Sequence, residues 1–155
     1  MGRVSEVGLL STKLVAKGEE ITIPNAVLVG TPTTYPPGSG YERNKCSISG
    51  LANPDNLAFV DGYATLVVGE DSTTGHQNDV LWAWDLREGR LDRILTGPYG
   101  AETTSPYWYG DRGGHGYLMG VVQHPFAQSD RDQLQDPSEL AGSVGYIGPF
   151  PATNP

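Results

Sequence analysis

The chain has 155 residues, an apolar fraction of 37%, 21 glycines, 12 prolines and a net charge of −8. That length fits one domain, or one domain with an appendage, and the glycine and proline content suits short strands and turns better than helices. The acidic surface excludes nucleic acid and anionic membranes as expected partners, whereas a bound cation can still bring in a phosphorylated substrate.

Residues 1–16 hold no long apolar core and no cleavage site, so neither a signal peptide nor a membrane span is expected. A cytoplasmic location follows for the chain as it stands. Residues 4–15 and 20–29 are apolar with partial alternation, and "AKGE" between them supplies a turn; they predict a β-hairpin. Residues 35–45 continue a Pro/Gly/Thr-rich stretch without periodicity and read as a linker.

From residue 46 the pattern sharpens. "NLAFV" (56–60), "ATLVVG" (64–69), "DVLWAWDL" (79–86) and "RLDRILT" (90–96) predict four antiparallel strands, with Val80, Trp82 and Trp84 on one face. Four short strands in about 40 residues is the size of one β-propeller blade. Residues 105–125 then echo residues 53–72. Each stretch has a Pro-led aromatic strand, a Gly/Asp turn, an apolar strand and a polar pair, so that Gln123-His124 falls where Glu70-Asp71 falls. "DPSELAG" predicts a helical turn with Asp136 as its cap and Glu139 three residues on. The last few residues are expected to fray or dock loosely. The lone cysteine, Cys46, cannot form an internal disulfide and reads as a small buried hydrophobe.

Several polar groups bear chemistry. Asp55 and Asn56 pair a carboxylate with an amide oxygen, which suits a hard cation; an Asx-type turn after Pro54 would use the same residues. Glu70 and Asp71 end a strand, where neighbours point to opposite faces, so at most one enters a site. His76, followed by Asn78 and Asp79, lies in a glycine-bearing loop and could coordinate zinc, iron or calcium, or simply face solvent. Glu102 precedes the predicted second set of strands and is either a ligand, a general acid or base, or a solvated loop acid. His124 is held extended by Pro125 and could bind metal or protonate a leaving group. His115, flanked by glycines, reads as a turn residue that could supply a zinc ligand only within an oligomer. No nucleophile elbow, Walker loop, zincin helix or CxxC pair occurs, and Ser47, Ser72 and Ser105 have no adjacent base.

"NPDNLAF", "GEDSTTGHQNDVLWAWD", "LTGPYGAETTSP", "VVQHPF" and "YIGPFPA" together resemble the C-terminal part of PhoX-type alkaline phosphatases, over roughly residues 41–155. "GRVSEVGLLSTKLVAKGEEITIPNAVLVGTPTT" resembles the β-domain after the pore helix of small mechanosensitive channels, as far as Thr34. The two resemblances imply a chimera: a channel-type hairpin (1–34), a linker (35–45) and a truncated propeller fragment (46–155). The implied fold is all-β, a partial propeller of two to three blades plus an N-terminal hairpin, completed by self-association into a homo-oligomer. The phosphatase family is exported and carries calcium and iron in a central channel. Its implied activity here is metal-dependent hydrolysis of phosphoric mono-, di- or triesters. Asp55, Asn56, Glu70, Asp71 and His76 are the expected metal ligands, and His124 and Glu102 the expected catalytic groups. Calcium follows from the resemblance, with zinc or iron open. The competing expectation is a non-catalytic β-sheet oligomer with at most an orphan metal site.

Overall fold

A computed structural model describes residues 3–7, 11–16, 19–24, 30–72 and 75–153. Among the described residues the chain is all-β, with three antiparallel sheets and two short 3-10 turns. None of the described residues forms a helix long and apolar enough to cross a membrane.

The predicted N-terminal hairpin is a three-stranded meander of β1 (Arg3–Val7), β2 (Ser11–Ala16) and β3 (Glu19–Pro24). β2 and β3 pair from Ala16↔Glu19 to Ser11↔Pro24, around the expected turn. The expected continuous strand over 4–15 is instead two strands that fold back on each other, Arg3 facing Val15. Of the expected strand over 20–29, residues 25–29 lie outside the described residues.

The four strands expected next form one meander sheet: β4 (Pro54–Val60), β5 (Thr65–Glu70), β6 (Asn78–Asp85) and β7 (Arg90–Tyr99). Asp61-Gly62 makes the first turn, with Gly62 at φ 83°, a region that only glycine enters without strain. Side chains alternate along β5 and β6, and here both faces are covered. Leu66, Val68, Val80 and Trp82 pack with Leu51 on one face, and Trp84 joins them. Val67 and Leu81 point to the other face and meet Leu118 of the next sheet. Burial on both sides explains why β5 reads as an almost unbroken apolar run.

Leu51 belongs to the irregular segment 30–53, which contains the expected linker. That segment is fastened to the sheet: the Lys45 amide donates to the Gly75 carbonyl at 2.8 Å, and a bridge joins Pro32 to Cys46. Arg43 donates to Asp130 at 2.9 Å and to Asp132 at 2.6 and 2.7 Å. Cys46 is half-buried, and burial pushes its thiol up.

The second sheet contains β8 (Glu102–Tyr109), β9 (His115–Gln123) and β10 (Ser143–Pro151), in the order β10-β9-β8. β8 and β9 form its first hairpin, as β4 and β5 do in the sheet before, in line with the sequence echo. β8 lies against β4 and β5. The approach is close enough that a Cβ on Gly69 would sit 2.2 Å from the Thr103 carbonyl oxygen. Across the same seam the Glu70 amide donates to the Thr103 hydroxyl at 3.0 Å.

Two C-terminal features differ in outcome. The turn at Pro137–Leu140 forms with the expected capping box: Asp136 accepts from the Ser138 amide at 2.8 Å, and Glu139 accepts from the Asp136 amide at 3.3 Å. The end of the chain docks rather than frays as far as Thr153. Trp108 donates to the Thr153 hydroxyl at 3.2 Å, and Phe150 and Tyr63 pack on the Trp108 ring.

Candidate metal centre

Glu70 and Asp71 stand where β5 ends, and their side chains part as strand geometry requires. Glu70 is fully buried. One of its carboxylate oxygens accepts from the Ala52 amide at 2.7 Å and from the Trp82 indole at 2.7 Å. The other accepts from the Val80 amide at 3.0 Å and faces His76 Nδ1 at 2.9 Å. A carboxylate offers about four acceptor sites, and all four are taken. The second nitrogen of His76 lies 3.0 Å from the Ser47 carbonyl. Both partners of the ring only accept, so both ring nitrogens carry hydrogen and the imidazole is an imidazolium. Burial opposes that charge, but the hydrogen bond and the negative charge of Glu70 outweigh it and raise the pKa of His76.

Glu70 and His76 were expected as metal ligands, and their surroundings correct that expectation. Neither has a lone pair to spare; together they tie the loop after β5 to β6 and to the segment around Ser47 and Ala52. His76 is buried, contrary also to the solvent-facing alternative. Asp79 lies in the same region, almost wholly buried. It accepts from the Ser72 amide at 2.7 Å through one oxygen, while the other has no partner among the described residues. Burial pushes its carboxyl up to about 8, with the negative charge of Glu70 adding to the effect and the Ser72 amide opposing it.

Asp71 turns the other way. It meets Asp55 and Glu102, and one oxygen from each of the three carboxylates lies within 4.8 Å of the others. These acids come from three places in the chain. Asp55 sits at the register shift near the start of β4. Asp71 follows β5, its amide donating to the Asn53 carbonyl at 3.0 Å. Glu102 opens β8, pairs with Gln123 and is buried, which corrects its expected loop position. The seam at Gly69 and Thr103 is what brings Asp71 and Glu102 together.

Around the three acids stand neutral amides and one imidazole. Gln123 Nε2 donates to Glu102 at 3.2 Å, and His124 Nε2 lies 3.2 Å from its other oxygen. Gln128 donates through its amide nitrogen to Asp71, and its amide oxygen is buried without a partner among the described residues. Asn56 donates through its amide nitrogen to Asp55, one of the three acids. His124 has φ 32°, so Pro125 does not hold it extended as expected; the chain leaves β9 there in a left-handed residue. Its side chain is 41% exposed. His115, expected in a turn, is the exposed first residue of β9, its Nδ1 3.3 Å from the Gly113 carbonyl.

Three carboxylates with no lysine or arginine paired to them among the described residues repel one another, and their oxygens are hard donors. This group could hold a metal ion. Gln128 escaped the sequence reading, since nothing in "FAQSD" marks it. Its role depends on the turn after β9 folding back toward Asp71. No family model, curated protein or solved structure matches the chain.

Proposed function

We propose that Asp55, Asp71 and Glu102 bind a divalent cation and that the protein hydrolyses phosphoric esters there. The convergence of these acids from β4, the end of β5 and β8 carries the reading. The donor set fits such an ion: three carboxylates supply hard oxygens, and Gln128, whose amide nitrogen meets Asp71, carries a further neutral oxygen with no partner among the described residues. Calcium suits oxygen ligands, and His124 beside Glu102 leaves zinc or iron open. The resemblance to PhoX-type phosphatases points the same way. It also supports reading the two large sheets as consecutive blades of a cropped propeller, with β4 and β8 as their inner strands.

When bound, the cation supplies Lewis-acid polarisation of the phosphoryl oxygen and a lowered pKa for water at the site. The protein's own residues do the rest. Asp55 and Asp71 hold charge at the open side of the group, where a phosphoester can approach. Glu102, buried, orients His124 through Nε2. The exposed imidazole can then deliver a proton to a departing alkoxide or phenoxide. The open side sets no tight limit on substituents, so mono-, di- and triesters are all admitted.

The test is hydrolysis of a nitrophenyl phosphomonoester and a bis(nitrophenyl) phosphodiester by protein stripped with EDTA and dialysed. Activity is expected only on return of calcium or zinc, and its loss is expected in Asp71→Asn. Hydrolysis that survives stripping overturns the metal requirement, and hydrolysis that no cation elicits assigns the protein to the non-catalytic class instead.

A further inference from the structure

The second sheet ends in a strand unlike the other described edges of the two large sheets. β10 pairs with β9 on one side only. Its nine residues, "SVGYIGPFP", include no charged side chain. Val144 is 72% exposed and Tyr146 66%. Free edges of sheets are ordinarily blunted by charge, by proline or by cover. β7, the outer strand of the other large sheet, follows that rule: Arg90, Asp92 and Arg93 line it, and Arg90 is paired with both Glu88 and Asp92. β4 and β8 are covered by each other. Only β10, among the strands of the two large sheets, offers an open and uncharged ladder.

We propose that β10 is the interface through which two copies of this chain pair, antiparallel and edge to edge, into a closed dimer. The occupant follows from charge. Two bodies of net charge −8 repel, and the one edge that brings no acid toward its partner is this one. It is also self-complementary. With Gly145 opposite Gly145, Val144 of one copy faces Tyr146 of the other, twice over, and aromatic with β-branched is a favourable cross-strand pair. Tyr146 is already braced, edge-on to Tyr117 at 5.4 Å. On the inner face an apolar hollow of about 170 Å³ lies among Leu81, Leu95, Leu118, Val122 and Ile147, open beside the strand.

The same strand limits the assembly. Its register breaks between Ile147 and Phe150, and Pro149 and Pro151 have no amide to donate. Pairing is therefore confined to residues 143–147. An interface that uses the same strand on both partners closes at two copies and leaves no free ladder for a third. Two three-stranded sheets become one of six.

Solution mass by light scattering, on the full chain, tests the proposal. The expected value is twice the 16.6 kDa of one chain. Val144→Lys with Tyr146→Lys places like charges opposite each other and is expected to give a single-chain mass with an unchanged far-ultraviolet spectrum. Val144→Glu with Tyr146→Glu does the same. Mixing the lysine and glutamate proteins is expected to restore the doubled mass, because each charge then faces its opposite. The proposal is overturned if the unaltered chain is monomeric with freely exchanging amides at 143–147, or monomeric with those amides protected, which would mean another part of the same chain covers the edge. It is equally overturned if the assembly is larger than two, or if the doubled mass survives in the lysine protein. Restoration on mixing separates a lost contact from a lost fold.

Discussion

Glu70 is closed in by four hydrogen bonds from three parts of the chain, while Asp71, the next residue, faces two other carboxylates across a gap. Both are acids at the end of the same strand. The difference lies in what their surroundings leave undone. At Glu70 every acceptor site meets a donor and the charge is balanced by the His76 imidazolium, so the group has nothing left to bind. At Asp71 the charge is met by one amide and opposed by Asp55 and Glu102, so the group could hold a cation. Burial and pairing thus separate a residue that holds the fold from one that can act on a ligand, and the acidic side chain alone does not distinguish them.

The sharpest way to break this comparison is to exchange the two outcomes. Glu70→Ala leaves the His76 charge, two amides and the Trp82 indole without an acceptor; breaking a buried pair in this way costs about 3–5 kcal/mol. Urea denaturation should show a loss of that size, or no cooperative transition at all. Asp71→Asn should change stability by about 0.5 kcal/mol or less. Its effect should appear in calorimetric titration with calcium or zinc, as a loss of affinity on the order of tenfold or more. Equal stability losses in the two variants would erase the distinction.

Thr103→Val tests the seam between the two sheets. It keeps the shape but removes the hydroxyl that accepts from the Glu70 amide, leaving a buried donor unsatisfied at about 1–3 kcal/mol. Cation affinity should fall as well, although no ligand is altered, since Thr103 sits next to Glu102 and opposite Glu70. Retained affinity would place the control of ligand spacing elsewhere.

Acidity gives a third handle. Asp79 keeps its proton in the folded chain to about 8, whereas an unfolded aspartate loses it near 3.8. His76 keeps its proton past the ordinary value of 6.5. In both cases the folded state binds more protons than the unfolded one, so stability falls as pH rises. The Asp79 share declines between about 4 and 8; the His76 share is complete below 6.5 and is lost as pH climbs through its raised folded value. Urea midpoints should therefore be higher at pH 5 than at pH 8. Asp79→Asn should flatten the curve below 6.5 and stabilise the protein at pH 8 by on the order of 1 kcal/mol or more. A midpoint that rises with pH would contradict the protonation assigned to both groups. The smallest effect is expected at the exposed turn: Asp136→Ala should hasten amide exchange at Ser138 and leave the urea midpoint unmoved.

Much of the fold was legible because strand patterns are local. Alternation located β4 to β7, and the shared face of Val80, Trp82 and Trp84 is the face that packs on Leu51 and Leu66. The capping box at Asp136 needed only four residues. β10 was not legible: three glycines and prolines interrupt its alternation between Gly145 and Pro149, and its pairing with β9 spans the turns between. For the candidate metal centre, Asp55, Asp71 and Glu102 were each singled out, Glu102 in a different role. Their meeting was invisible because it depends on β8 lying against β4 and β5. Glu70 and His76 were misread for a related reason. Their partners Ser47, Ala52, Val80 and Trp82 are scattered in sequence, and only the fold gathers them.

Gly69 has the last consequence. A side chain at that position would drive a wedge into the Thr103 carbonyl, and one backbone or the other would have to shift. The tolerances of this protein should therefore be uneven in an unfamiliar way. Random mutagenesis scored for cation uptake should find position 69 nearly as unforgiving as the acids themselves, though a glycine contributes no charge, no ligand and no contact surface of its own.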